Sequence, residues 1–147
     1  MDIALDEARA AAARGEVPVG AVIVTPSGAI AARAGNRTRE LSDPTAHAEI
    51  LAIRAACAAL GSERLPGHDL YVTLEPCAMC ASAIAATRIA RLYYGAADPK
   101  SGGVAMAARV FSHPQCHHVP EIYDGIAATE AETLLKTFFR DRRSGSE

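Results

Sequence analysis

The chain has 147 residues, of which 50% are hydrophobic and 22% charged, and its net charge is -2. These values fit one compact domain over residues 1–147 and exclude a disordered chain. The small net charge argues against a protein that coats nucleic acid broadly, and no apolar run nears the ~20 residues that a membrane helix needs.

The opening Met1-Asp2-Ile3-Ala4 has no basic region followed by an apolar one, so no signal peptide is expected. Residues Asp2 to Arg14 are alanine-rich and predict a helix capped by Asp2 and ended by Gly15. Alanine fills 32 positions of the chain, so the core is expected to be lean in large side chains. Val19–Val24 predicts a buried strand. The turn Thr25-Pro26-Ser27-Gly28 leads into a second strand over Ala29–Ala34, which closes a hairpin.

Gly35 to Thr45 predicts a loop ending in Asp43-Pro44, a helix cap followed by proline. The helix that follows is expected to run to Leu60, with Ile50, Ile53, Cys57 and Leu60 as its apolar stripe, and Gly61 stops it. Leu70–Leu74 is a third predicted strand, and Cys77–Thr87 a helix after the break at Pro76. Arg91–Tyr94 is a fourth strand, Gly95–Gly103 a turn-rich loop and Val104–Phe111 a short helix. His113–His118 is irregular, and Val119–Tyr123 predicts an edge strand despite Pro120. A last helix spans Thr129–Arg142 with Leu134, Leu135, Phe138 and Phe139 as anchors, and Ser144–Glu147 is expected to fray. Strands interleaved with helices predict a three-layer α/β/α domain on a mixed sheet of about five strands.

The chemistry concentrates in His47-Ala48-Glu49 and Pro76-Cys77-Ala78-Met79-Cys80. Two thiolates and an imidazole suit zinc. Cys77 and Cys80 stand three apart at a helix start, on one face, where the helix dipole favours thiolate. Three protein ligands leave a fourth position for water, whose pKa zinc lowers from about 15.7 to about 7. Glu49 is the candidate proton shuttle, although residues two apart on a regular helix point about 200° away from each other. The alternative is a closed structural site with a fourth ligand from His68, His113, Cys116, His117 or His118. The combination of H-x-E with a later P-C-x-x-C is the general signature of zinc deaminases. The remaining thiols, Cys57 and Cys116, are expected to be free in a reducing cytosol, with Cys57 in the core.

Beyond these motifs the chain resembles the bacterial tRNA-specific adenosine deaminases of the cytidine deaminase superfamily. The likeness runs through Val17-Pro18-Val19-Gly20-Ala21-Val22, Asn36-Arg37, Asp43 to Ile50 and Leu70 to Cys80. It continues through Gly95-Ala96, Asp98, Lys100, His113-Pro114, Glu121-Ile122 and Phe138 to Arg143. The resemblance implies a cytidine-deaminase-like fold and one Zn2+ per subunit, held by His47, Cys77 and Cys80. It also implies a homodimer in the cytoplasm and hydrolytic deamination of adenosine to inosine at the wobble position of a tRNA anticodon. Glu49 would take the water proton, pass it to the ring nitrogen, then protonate the departing ammonia.

By the same resemblance, Asn36 and the backbone N–H of Ala48 contact the target nucleoside. Asp98, Lys100, His113 and His118 lie against flanking RNA, and Phe139, Arg140, Arg142 and Arg143 belong to a basic RNA-facing helix. From the residues alone, Phe138 and Phe139 read more simply as core, and the histidines with Cys116 as a less favoured second metal site. The stretch Leu134–Arg143 carries a net charge of +3, whereas His117–Glu132 carries -4, so the small total conceals a local basic patch. Two rival functions fit the zinc motif. One is a free nucleobase or nucleoside deaminase of guanine or cytosine type. The other is a structural-zinc RNA-binding module without catalysis.

Overall fold

A computed structural model describes residues 1–145. Five strands form one sheet in the order β2-β1-β3-β4-β5. Strand β1 (Gly20–Val24) is antiparallel to β2 (Ile30–Gly35) and to β3 (Asp69–Leu74). Strand β3 is parallel to β4 (Arg91–Ala96), and β4 to β5 (Glu121–Tyr123). Helices α1 (Asp2–Ala13) and α4 (Ala128–Ser144) pack together on one face of the sheet. Helices α2 (Ala48–Leu60) and α3 (Ala78–Thr87) pack together on the other. The mixed five-stranded sheet in a three-layer α/β/α arrangement is the predicted fold class.

The alanines decide how closely the layers approach. Ala4, Ala8 and Ala11 of α1 are fully buried, and a Cβ at Gly20 would collide with the backbone of Ala4 and Ala8. Small side chains on the helix and none on the strand thus let α1 lie against β1 at backbone contact. The larger side chains collect on the opposite face, where Ile23, Leu70, Val72, Ile84 and Leu92 are wholly buried in one cluster.

Local chemistry moves several element boundaries. Met1, not Asp2, occupies the cap position of α1, and Asp2 lies in its first turn. The predicted helix start at Asp43-Pro44 is displaced, since α2 begins at Ala48 with His47 as its cap. The Asp43 carboxylate instead accepts the Thr45 N–H and hydroxyl at 2.8 and 2.7 Å, closing a local turn. These bonds hold the Asp43 carboxyl below the ordinary carboxylate range. The buried side of α2 is Ala48, Glu49, Ala52, Ile53 and Ala56, while Leu60 is 52% exposed, so the predicted stripe is rotated. Cys57 is half-buried and packs against the core as expected.

Val104–Phe111 forms no α-helix; a 3₁₀ turn at Val110–Ser112 is all that appears there. Its polar reason is a set of backbone N–H groups that turn inward to a buried carboxylate, described below. The edge strand expected near Val119–Tyr123 is short. Tyr71, Tyr93 and Tyr123 stack across β3, β4 and β5 at centroid spacings of 4.4 and 4.8 Å. These are register partners, so the aromatic ladder compensates for few backbone bonds at this edge. Of the four expected anchors of α4, Leu134, Leu135 and Phe138 are half-buried, and Phe139 is 46% exposed. Ser144 closes α4, and Ser146 and Glu147 of the expected frayed tail lie outside the described residues.

Candidate active site and metal centre

The sheet register gathers the site. Because β1 runs antiparallel to both β2 and β3, the C-terminal ends of β2, β3 and β4 share one edge. Asn36 follows β2, Cys77 follows β3 and Asp98 follows β4. Ligands characteristically bind at this edge in α/β sheets.

Two metal donors are helix caps. His47 caps α2 with φ -72 and ψ 153, and Cys77 caps α3 with φ -70 and ψ 176. Neither helix start has a side-chain capping hydrogen bond. Cys77 and Cys80 occupy the cap and third positions of α3, whose side chains turn toward each other in the geometry that also supports capping boxes. His47 Nδ1 lies 3.7 Å from Cys77 Sγ and 3.5 Å from Cys80 Sγ. With Zn–S at about 2.3 Å and Zn–N at about 2.0–2.1 Å, a tetrahedral ion sets N and S about 3.6 Å apart. The donor set therefore fits zinc in both chemistry and spacing.

His47 lies within hydrogen-bonding reach of both thiols. Hydrogen bonds from Cys80 and His47 pull the Cys77 thiol down to about 4. The hydrogen bond with Cys77, followed by burial, pushes the Cys80 thiol up, and the Cys77 contact also raises His47. Among the described residues no fourth side chain joins the cluster. The proposed fourth ligands are engaged elsewhere or exposed. His68 Nδ1 meets the Pro66 carbonyl, Cys116 Sγ donates to the His118 carbonyl, and His113 and His117 are exposed. The second metal site at His113, Cys116, His117 and His118 does not form either.

Glu49 is 3% exposed, and its Oε1 has no hydrogen-bond partner. Burial pushes its carboxyl above the ordinary range, opposed by His47 and Cys80 nearby. The angular objection to Glu49 disappears because His47 is extended rather than helical, so the two side chains do not follow helix spacing. An orphaned buried carboxylate oxygen beside a metal triad is costly unless a ligand or water meets it.

Asn36 and Ala48 meet each other. Asn36 Oδ1 accepts the Ala48 N–H at 2.8 Å. The family resemblance assigns that N–H to a base; in this structure it is the first orphan donor of α2, and Asn36 satisfies it. With the carbonyl end of the amide thus engaged, Asn36 retains its NH2 end as a donor. Asn36 does not sit at a left-handed backbone position, since its φ is not positive.

The remaining expected contacts divide. Asp98 Oδ1 accepts the N–H groups of Lys100 and Ser101 at 3.1 Å, and Lys100 is exposed. Both residues line a groove of about 500 Å³ with Val17, Leu135 and Phe139. Phe139 is therefore not a core anchor, and the groove joins it to the loop after β4. His118 is half-buried, its Nε2 2.7 Å from the Ile89 carbonyl. His113 is exposed, with Nδ1 accepting the Gln115 N–H. Arg142 lies over the Phe138 ring at 5.2 Å, beside a different groove. Arg140 pairs with Asp141 at 3.5 Å on the surface, and Arg143 is exposed in the last turn of α4.

Two buried acids have roles that sequence reasoning missed. Glu16 accepts the Arg39 and Glu40 N–H groups and so fixes the loop after Asn36. Glu75 accepts four backbone N–H groups from residues 98 and 104–106. The available signal was a glutamate placed between an apolar strand and a Pro-Cys metal motif.

Residues 1–96 match the cytidine and deoxycytidylate deaminase zinc-binding region. A tRNA-specific adenosine deaminase from Agrobacterium fabrum is 62% identical over 97% of this chain and 93% of its own. The chain belongs to this deaminase family. A solved structure from a study of A-to-I editing by tRNA:A34 deaminases at the wobble position shares 62% identity at a TM-score of 0.90. It covers 92% of this chain and 97% of its own. A guanine deaminase structure from Bacillus subtilis is more distant, with 31% identity and a TM-score of 0.66, over 95% of this chain and 90% of its own. The tRNA-specific branch of the deaminases thus matches better than the free-base branch, and zinc is the metal of the family region.

Proposed function

We propose that this chain is a zinc-dependent enzyme that hydrolytically deaminates adenosine to inosine at the wobble position of a tRNA anticodon. The observation that carries the reading is Glu49, a buried carboxylate with an orphaned oxygen beside a three-donor zinc site. His47, Cys77 and Cys80 hold the ion, which when bound makes water a nucleophile at neutral pH. Glu49 would take one proton from the water as its oxygen bonds to the amine-bearing carbon and pass it to the neighbouring ring nitrogen; it would then carry the remaining hydroxyl proton to the amino group, so that the C–N bond breaks and ammonia leaves. Burial raises its carboxyl toward working pH, which suits a group that must both take and give.

Asn36 presents its NH2 end to an acceptor on the purine, and its fixed carbonyl end sets the direction. The groove of Phe139, Asp98 and Lys100 takes flanking nucleotides, with stacking on Phe139 and phosphate contact at Lys100. The exposed Lys136, Arg140 and Arg143 of α4 extend that electrostatic grip. The single domain acts in the cytoplasm as a homodimer. A largely apolar groove of about 580 Å³ along α3, including Ala85, Ala86 and Val110, supports that assembly, and sedimentation tests it.

No described helix is long and apolar enough to cross a membrane. The closed structural-zinc alternative would need a fourth protein ligand, and none of the described residues provides one. The deciding experiment incubates the zinc-loaded protein with an adenosine-containing anticodon stem–loop, beside free adenosine, cytidine and guanine. Inosine in the stem–loop alone supports the reading, and ammonia release from free guanine alone overturns it.

A further inference from the structure

Glu75 is 2% exposed and stands between β3 and the metal-ligand turn. One carboxylate oxygen accepts the Asp98 N–H at 3.1 Å. The other accepts the N–H groups of Val104, Ala105 and Met106 at 3.1, 2.9 and 3.2 Å. A carboxylate is an acceptor at both oxygens, so it can hold four inward-facing donors at once. Residues 98–106 form no helix or strand that would satisfy those donors otherwise.

The loop is joined to the metal segment at other points too. Gly103 N–H donates to the Pro76 carbonyl at 2.7 Å, and Gly102 pairs with Cys77 as an isolated bridge. A Cβ at Gly102 would run into the Glu75 carboxylate, and one at Gly103 into the backbone of Cys77 and Ala78. These contacts require glycine for close approach rather than for backbone angle. The same loop carries Asp98 and Lys100 on its outer side.

We infer that Glu75 is a positioning residue that holds the 98–106 loop in the geometry that grips RNA, registering it against the Cys77 turn. This rests on the reading of Asp98 and Lys100 as RNA contacts. Glu75 touches neither substrate nor metal; it acts through the backbone of the loop. It sets substrate binding more than the chemical step, because its carboxylate bonds the N–H groups of the loop and not Glu49 or the three metal donors.

The test uses the full zinc-loaded chain and an anticodon stem–loop. Glu75→Gln replaces one acceptor with a donor that faces N–H groups. It is expected to keep one zinc per chain and raise KM at least tenfold, while kcat stays within threefold. Amide exchange at residues 104–106 should quicken at least tenfold. Gly102→Ala, which displaces the loop but leaves the carboxylate, should raise KM similarly. Unchanged KM and exchange in a folded Glu75→Gln protein overturns the inference, as does loss of zinc and kcat with KM unaltered. Should Glu75→Gln fail to fold, an unchanged KM in Gly102→Ala overturns it. The double variant Asp98→Ala with Lys100→Ala separates the two ideas. Its failure to raise KM removes the RNA reading of the loop, and with it this role for Glu75. A raised KM there without one in Glu75→Gln removes the Glu75 role alone.

Discussion

The Asn36 side-chain oxygen accepts the backbone N–H of Ala48 at 2.8 Å, so the residue that follows β2 caps the helix behind the metal histidine. One amide thereby has two ends with separate duties. The carbonyl end secures the start of α2, and the NH2 end remains for a base.

Substitution divides those duties. Asn36→Ala removes the cap and should cost about 0.5–2 kcal/mol of stability. Asn36→Asp keeps an acceptor at the helix N-terminus, where negative charge is favourable. It should melt near wild type yet lose at least tenfold in kcat/KM. Thermal unfolding and inosine formation on the same preparations check both outcomes. Equal loss of stability in the two variants would show that the carbonyl end is not what matters.

For Glu49, the expected result of Glu49→Gln is a fall in kcat of about 10²–10⁴-fold, the usual worth of acid–base assistance. Zinc content should stay at one per chain, because Glu49 is not among the three donors. The melting temperature should not fall, since the change replaces a buried carboxylate with an orphaned oxygen by a neutral amide. Near-normal turnover measured in this variant would exclude Glu49 as the shuttle.

Metal removal should act on both activity and stability. Zinc ligation needs two thiolates and a neutral imidazole, whereas the fold raises Cys80 and His47 toward their protonated forms. Binding therefore expels protons, and apparent zinc affinity should rise between pH 6 and pH 8. Competition with a chromophoric chelator at the two pH values measures this sign. Stripping the ion should lower the melting temperature, because a ligand that binds only the folded chain stabilises by about 4 kcal/mol at a thousand times its Kd. Cys80→Ala should lose both the metal and the activity, with no recovery on adding zinc.

The basic surface of α4 predicts a salt effect. Lys136→Ala and Arg140→Ala should weaken stem–loop binding and flatten its salt dependence. The log–log slope should fall by about 0.7–0.9 for each phosphate that is no longer neutralised. At saturating substrate kcat should be unchanged, since these side chains lie on the surface of a helix apart from the zinc donors. Binding titrations at several salt concentrations read the slope directly. Arg142→Ala should matter less for RNA and more for packing, because its guanidinium already rests on Phe138.

Fold class, zinc donors and candidate shuttle are all legible in the order of residues along the chain. Those features are local: alternating strands and helices, and ligands at fixed spacing around two helix starts. His47, Cys77 and Cys80 can be named together because metal chemistry restricts which residues and intervals serve. Contacts between distant segments settle the rest. Asp43 has the sequence of a helix cap, but its carboxylate closes its own turn on Thr45, which moves the cap to His47. Phe139 has the spacing of a core anchor, but α4 leaves it beside Asp98 and Lys100. His118 matches an RNA-facing position, and its ring meets the Ile89 carbonyl. Glu75 and Glu16 carry no periodic signal at all. Their partners are backbone N–H groups 23 to 31 residues away, and any residue type but proline can supply those. Side-chain identity records which chemistry is available; only the folded backbone determines which donors must be met.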